Sequence, residues 1–136
     1  MPNLPLKLFF TFVHRTGGLL KTLESFDAIY IYRPFVDMRK QINGLAMIVE
    51  SEMKLSIKAK ILFVFTHKKK KILKLLYWNK TGFALWMTKL EKQTFKWPKS
   101  DQENIELSAA ELELLLQGID ISKQKPHQEL SYSTFS

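Results

Sequence analysis

Carboxylates and histidines are the side chains that could support catalysis in this sequence, and their spacing does not favour it. Between Ile61 and Pro98 there is a single acid, Glu91, beside nine lysines. A two-metal catalytic centre needs several carboxylates gathered around its ions. The histidines are far apart, without a partner at metal-ligand spacing, and each is interpreted as a surface residue: His14, His67 and His127. We therefore predict a protein that is not an enzyme, with no catalytic residues, no metal site and no cofactor.

Lysines are the side chains whose pattern does indicate a function. Residues 54–99 carry thirteen bases and one acid, whereas residues 100–136 carry two bases and seven acids. So basic a segment is typical of a surface that binds nucleic-acid phosphates, and such binding weakens steeply with salt. The alternative interpretation is a solvated hairpin whose lysines keep an apolar sheet soluble. The predicted nucleic-acid-binding residues are Lys68, Lys69, Lys70, Lys71, Lys74, Lys80, Arg39 and Lys40.

Aromatic residues accompany these lysines, and two interpretations of them stay open. They could stack on unpaired bases beside the lysines. Their alternation along strands is more typical of core or partner-facing positions. The residues concerned are Tyr77, Trp78, Trp86, Phe95 and Trp97.

Short apolar runs separated by turn residues must position the lysines. Such runs are typical of strands, and the strands that they predict are Ala28–Tyr32, Ile61–Phe65, Ile72–Trp78 and Phe83–Met87. The connection Thr66–Lys71 then places four lysines on a hairpin. Asn79–Gly82 forms the next turn, where Gly82 can supply a positive φ.

Apolar and polar residues also alternate beyond the fourth predicted strand. Phe95 and Trp97 are the apolar members, which predicts a half-buried edge strand that ends at Pro98. The residues that follow, from Lys99 to Asn104, are polar and predict a linker.

The first of two predicted helices begins at Asp37, whose side chain can accept a hydrogen bond from the free amides of the first turn. Arg39 and Lys40 then lie exposed at the helix N-terminus, where backbone amides could assist phosphate binding. Gly44 predicts close packing against a neighbouring element. The apolar stripe of this helix is Met38, Ile42, Leu45 and Val49.

The second predicted helix begins at a capping box formed by Ser108 and Glu111, and Gly118 suits a left-handed residue at its end. The helix Ser108–Gln117 is acidic, and we expect it to face a protein partner. The candidate partner-binding residues are Glu106, Glu111 and Glu113. Together the elements predict an α+β fold, in which a small, mainly antiparallel sheet carries two packed helices.

Length and composition indicate one domain in a chain of 136 residues. We assign it to residues 27–121, with 1–26 as a poorly ordered N-terminal extension and 122–136 as a polar, disordered tail. The apolar run Leu4–Val13 is too short to span a membrane and lacks the layout of a signal peptide. Cysteine is absent, which is compatible with a reducing compartment. We therefore expect a cytoplasmic protein with no membrane contact and no small-molecule substrate.

Seven short motifs, in order and over residues 28–121, resemble one family. They are Asp37-Met38-Arg39-Lys40 with Asn43-Gly44-Leu45, Leu62-Phe63-Val64-Phe65, Lys74-Leu75-Leu76-Tyr77-Trp78, Gly82-Phe83-Ala84-Leu85-Trp86, Lys89-Leu90-Glu91, Phe95-Lys96-Trp97-Pro98, and Glu106-Leu107-Ser108-Ala109-Ala110-Glu111-Leu112 with Gly118-Ile119-Asp120. These motifs resemble the TnpB accessory protein, also called Orf2, of the insertion sequence 66 family of bacterial transposable elements. The RNA-guided nuclease that shares the TnpB name is a different protein.

The resemblance implies a non-catalytic protein that assists transposition by a separate transposase of the same element. Together with the lysines, it predicts binding to DNA at the element ends, to the transposase, or to both. The alternative is a protein-only assembly factor for the transposase that never contacts DNA. The arginine-rich loop of the family is Lys68–Lys71 here, which keeps the charge without the bidentate fork of arginine. A phosphate contact suits this change better than base reading.

Overall fold

The computed structural model describes residues 23–56 and 59–123 of the chain. The strands are β1 (Ala28–Tyr32), β2 (Ile61–Thr66), β3 (Ile72–Asn79), β4 (Gly82–Lys89) and β5 (Asn104–Leu107). The helices are α1 (Ile42–Ile48), which continues as a π-helical turn over Val49–Met53, and α2 (Ala109–Leu116). Short 3-10 turns lie at Leu23–Ser25 and Ile121–Lys123. The run Leu4–Val13, two of the histidines, most of the predicted extension and nearly all of the predicted tail lie outside the described residues.

One five-stranded sheet, in the order β4-β3-β2-β1-β5, organises the molecule. β1 pairs in parallel with β2, and the other three neighbouring pairs are antiparallel. A parallel pair needs a long crossover, and the chain between β1 and β2 supplies it with α1. The predicted α+β fold with a mainly antiparallel sheet and two helices is confirmed.

Helices cover both faces of the sheet. On one face, Leu45 and Val49 of α1 pack in a cluster with Phe63, Phe65 and Leu76. On the other face, the three buried leucines of α2 belong to a second cluster with Leu62, Val64, Leu75 and Tyr77. Burial on both sides explains why β2 is a continuous apolar run rather than an alternating one.

The first helix begins later than predicted. Gln41 precedes its first residue, Ile42, and no side chain caps it. Asp37 instead closes a separate turn, because its carboxylate accepts the amide of Arg39 at 2.9 Å and its carbonyl accepts the amide of Lys40 at 3.0 Å. The helix cap at Asp37 was therefore a wrong prediction. The Gly44 prediction was wrong as well, since the nearest atoms to an added Cβ belong to Lys40 rather than to a neighbouring element.

The edge strand predicted at Phe95 and Trp97 does not form. The amide of Phe95 donates to the carbonyl of Lys70 at 2.8 Å, and Trp97 Nε1 donates to the carbonyl of Arg33 at 2.8 Å. These bonds tie the segment to two loops instead of to a strand. The edge strand beside β1 is β5, which begins at the end of the predicted linker, and β4 is the other edge.

The two predicted details of the second helix, its capping box and the left-handed Gly118, are confirmed. Ser108 Oγ accepts the amide of Glu111 at 3.1 Å, and Glu111 Oε1 accepts the amide of Ser108 at 2.9 Å, which completes the capping box. Gly118 has a φ of 82°. In the β3–β4 turn, however, the positive φ of 55° belongs to Lys80 and not to Gly82. No helix within the described ranges is long and apolar enough to cross a membrane.

Candidate nucleic-acid interface

The sheet topology gathers cations at one end, which we call the hairpin end. Because β1 and β2 are parallel and β2, β3 and β4 alternate in direction, β1, β2 and β4 all finish there. Arg33 directly follows β1, Lys68–Lys71 follow β2, and Lys89 is the last residue of β4. Residues separated by more than 50 positions in sequence therefore meet at one edge of the molecule.

The connection between β2 and β3, which we call the lysine hairpin (Lys68–Lys71), is a tight and well-bonded loop. The amide of Lys70 donates to the carbonyl of His67 at 2.9 Å, and Lys70 adopts a φ of 55°. Thr66 Oγ1 donates to the carbonyl of Ile72 at 2.6 Å across its base. Lys68 and Lys69 are exposed at the tip, whereas Lys70 and Lys71 are half-buried.

His67 has a structural role that its sequence position did not reveal. Its Nε2 accepts hydrogen bonds from the amides of Lys71 and Ile72, at 3.1 and 3.2 Å. Burial, and then the charge of Lys69, lower the pKa of His67 below its ordinary value. The interpretation as a surface histidine was wrong for His67, because the ring is half-buried and its Nε2 closes the hairpin by accepting two backbone amides.

Arg39 lies beside the lysine hairpin, but its charge is matched locally. A shallow groove of about 500 Å³ has Arg39, Lys68 and Lys69 among its lining residues. Arg39 Nη2 lies 2.7 Å from Asp37 Oδ2, and its hydrogen bonds lower the pKa of Asp37 to about 2. The structure therefore brings these predicted residues together, although Arg39 and Lys40 precede the helix rather than lying in its first turn.

Lys74 was expected on the surface, and the structure places it in the core. Its side chain is only 4% exposed, and Nζ donates to the carbonyls of Met38 and Lys40, both at 2.8 Å. These carbonyls have no helical partner, so the ammonium satisfies them while they offset part of its desolvation. Burial lowers the pKa of Lys74. Lys74 therefore holds the turn before α1 on the sheet and is not part of the exposed cationic surface.

Lys80 is exposed but distant from the lysine hairpin. It follows β3, whereas the hairpin precedes β3, so the whole strand separates them. At about 3.3 Å per residue, that separation is roughly 25–30 Å. Lys80 and the lysine hairpin therefore belong to different surfaces.

Most of the aromatic residues are part of the core. Tyr77, Trp86 and Phe95 are at most 4% exposed. Trp78 is half-buried and packs edge-to-face on Phe83, with 5.0 Å between the ring centres. Of these five aromatic residues, only Trp97 lines a groove at the hairpin end. Arg33, Phe35 and Lys99 line the same groove, and these three residues were not identified from the sequence. The sequence does contain a sign of this groove, because Pro34 and Pro98 follow Arg33 and Trp97 and proline favours loops at both positions.

The candidate acidic residues do not form one surface. The carboxylate of Glu111 accepts the amide of Ser108 at the start of α2 as part of the capping box. Glu113 on the same helix is half-buried. Glu106 is exposed on β5, where alternation directs it away from the face that carries Leu107 and α2. Among residues 23–56 and 59–123, none of these three acids is within ion-pair distance of Lys68 or Lys69.

Comparison with known proteins gives this surface a context. Residues 27–126, most of the chain, match the family described as IS66 Orf2 like protein. The chain belongs to this family. Two uncharacterized proteins of Sinorhizobium fredii (strain NBRC 101917 / NGR234) are similar to it. Protein y4hO is 33% identical over 92 residues, which are 68% of this chain and 80% of the relative. Protein y4jC is 31% identical over 90 residues, or 66% and 77% respectively. No solved structure gives a significant match.

Membership of the IS66 Orf2-like family confirms the resemblance seen in the sequence. The family associates the chain with transposition of an insertion sequence, as an accessory protein of a generally non-catalytic kind. Within the part of the chain that the structure describes, no group of three histidine or acidic side chains could hold a metal ion.

Proposed function

We propose that this IS66 Orf2-like protein assists transposition in the cytoplasm by binding the phosphate backbone of duplex DNA at the hairpin end of its sheet. The observation that carries the proposal is the exposure of Lys68 and Lys69 with no carboxylate of the described residues in ion-pair contact. Arg33, Lys89 and Lys99 add charge at the same end. A cluster of one sign in a protein with thirteen acids suits a polyanionic partner.

The chemistry of the cluster favours backbone contacts over base reading. An exposed lysine offers a flexible point charge, which holds a phosphate but lacks the planar fork that recognises a guanine edge. Each phosphate neutralised on duplex DNA adds about 0.9 to the slope of log affinity against log salt. Contacts from Lys68 and Lys69 alone would therefore contribute a slope of roughly 1.8.

A pair of matched double variants tests this proposal. We expect Lys68→Gln with Lys69→Gln to weaken binding to element-end duplex and to flatten the salt dependence by about 1.8 in slope. The control replaces Lys60 and Lys80 by Gln, because both are exposed and lie at the opposite end of the sheet. The control should bind as the unchanged protein does, and fluorescence anisotropy over a salt series measures both.

Two outcomes would refute the proposal. One is an absence of binding to any duplex at low salt, which would leave the transposase as the sole proposed partner. The other is equal weakening by both double variants, which would mean that net charge, and not the hairpin end, governs binding.

A further inference from the structure

A groove beside the lysine hairpin combines cations with an exposed aromatic ring. Its volume is about 690 Å³, within the range of sites for small ligands. Arg33, Lys70 and Lys99 line it, and Phe35 and Trp97 supply aromatic surface. Among the lining residues that the structure describes there is one acid, Asp101. The groove therefore surrounds a flat apolar surface with a net positive charge.

Hydrogen bonds between distant segments fix the walls of this groove. The amide of Arg33 donates to the carbonyl of Glu103, and Arg33 Nε donates to the carbonyl of Gln102, both at 2.8 Å. Trp97 Nε1 in turn donates to the carbonyl of Arg33 at 2.8 Å. Since the walls are joined before a ligand arrives, binding would cost little ordering entropy. Among residues 23–56 and 59–123, the two terminal nitrogens of the Arg33 guanidinium have no hydrogen-bond partner, and they could therefore hold a phosphate.

Phe35 is the feature of the groove that folding does not explain. Its side chain is 49% exposed, although the neighbouring Val36 is buried. The ammonium of Lys70 lies 5.9 Å from the centre of the Phe35 ring, within the range of a cation–π contact. An aromatic ring beside cations is what an unpaired nucleotide requires, because the base stacks and the phosphate is neutralised. In an intact duplex the bases are already stacked on one another, so the Phe35 ring would make no stacking contact there.

We propose that this groove binds an unpaired nucleotide of single-stranded DNA, with Phe35 stacked on the base and Arg33, Lys70 and Lys99 holding its phosphates. The inference rests on the proposed DNA binding and names the form of DNA preferred, a duplex that continues into a single strand. Lys70 belongs to both the lysine hairpin and the groove. A duplex on the hairpin would therefore continue directly into the groove.

Binding of the full chain to blunt duplex and to the same duplex with a single-stranded overhang tests this inference. The overhang should bind more tightly, and Phe35→Ala should weaken overhang binding roughly 10-fold, as expected for the loss of one base–aromatic contact. Phe35→Trp should retain the preference. Placing 2-aminopurine in the overhang provides a second readout, because its fluorescence should change when the base moves from its neighbours onto Phe35, and Phe35→Ala should remove that change.

The control variant is Met47→Ala. Like Phe35, Met47 is an exposed apolar side chain, but it lies on α1 and outside the groove. Met47→Ala should change neither the affinity for blunt duplex nor the affinity for overhang DNA. Equal affinity for blunt and overhang DNA, or an overhang preference that survives Phe35→Ala, would overturn the inference. So would Phe35-dependent binding of polyglutamate without Phe35-dependent binding of DNA, which would point to an acidic peptide. The proposed duplex binding is judged separately, by blunt DNA and the lysine variants.

Discussion

Acidification should destabilise the lysine hairpin through His67. The Nε2 atom of His67 accepts two backbone amides, and an imidazolium has no acceptor to offer them. Replacing His67 by Ala removes both bonds, at a cost of roughly 0.5–1.5 kcal/mol each. We therefore expect His67→Ala to lower the free energy of unfolding by about 1–3 kcal/mol near neutral pH.

The direction of the pH dependence follows from the lowered pKa. Because the folded state binds this proton less readily than the unfolded chain, the contribution of His67 is fully present above its ordinary pKa of 6.5. It falls as the pH drops below 6.5 toward the lower pKa of the folded state. The unchanged protein should therefore approach His67→Ala in stability as the pH is lowered.

Urea unfolding between about pH 7.5 and 5, the range in which histidine titrates, measures this effect. His67→Gln is the matched control, since a glutamine oxygen can accept the same amides and does not titrate. The difference in free energy of unfolding between the unchanged protein and His67→Gln reports the protonation of His67 alone, because the two proteins share every other titrating group. A difference that stays constant across this range would refute the role of His67 as a neutral acceptor.

Two further substitutions test bonds around the sheet. Lys74→Met should lower the free energy of unfolding by about 1–3 kcal/mol, since two carbonyls lose a charged donor. Thermal melting measures the change, and an equal or higher melting temperature would mean that desolvation of the ammonium outweighs its bonds. Ser108→Ala should cost about 1 kcal/mol through the loss of the cap on α2, whereas Ser108→Asp should keep most of it. Equal stability of the two Ser108 variants would contradict the capping role.

The predictable parts of the fold are those that local sequence determines. The continuous apolar run of β2, the lysine hairpin and the Ser108 capping box each depend on residues within one short segment. The segment at Phe95 and Trp97 shows the limit, because alternation predicted a strand while Lys70 and Arg33 supplied its partners. Neither partner is identifiable before the chain is folded.

The candidate site shows the same division. Lysine clustering predicted an exposed cationic hairpin, and Lys68 and Lys69 are indeed exposed. Lys74 carries the same charge in the same segment and is buried, because two free carbonyls from a distant turn face it. The groove at Phe35 was missed since its walls come from three separated loops that only the sheet topology brings together.

The interior position of β1, between β2 and β5, has a consequence for how the chain is made. β1 is among the first described elements to be synthesised, yet its outer neighbour β5 comes after all the other strands. The contiguous meander of β2, β3 and β4 has short connections and can assemble early, whereas both partners of β1 are non-local. A translation product that stopped before Asn104 would leave one edge of β1 unpaired and prone to aggregation. Premature stop codons between β4 and Asn104 should therefore produce insoluble protein rather than a shortened active form.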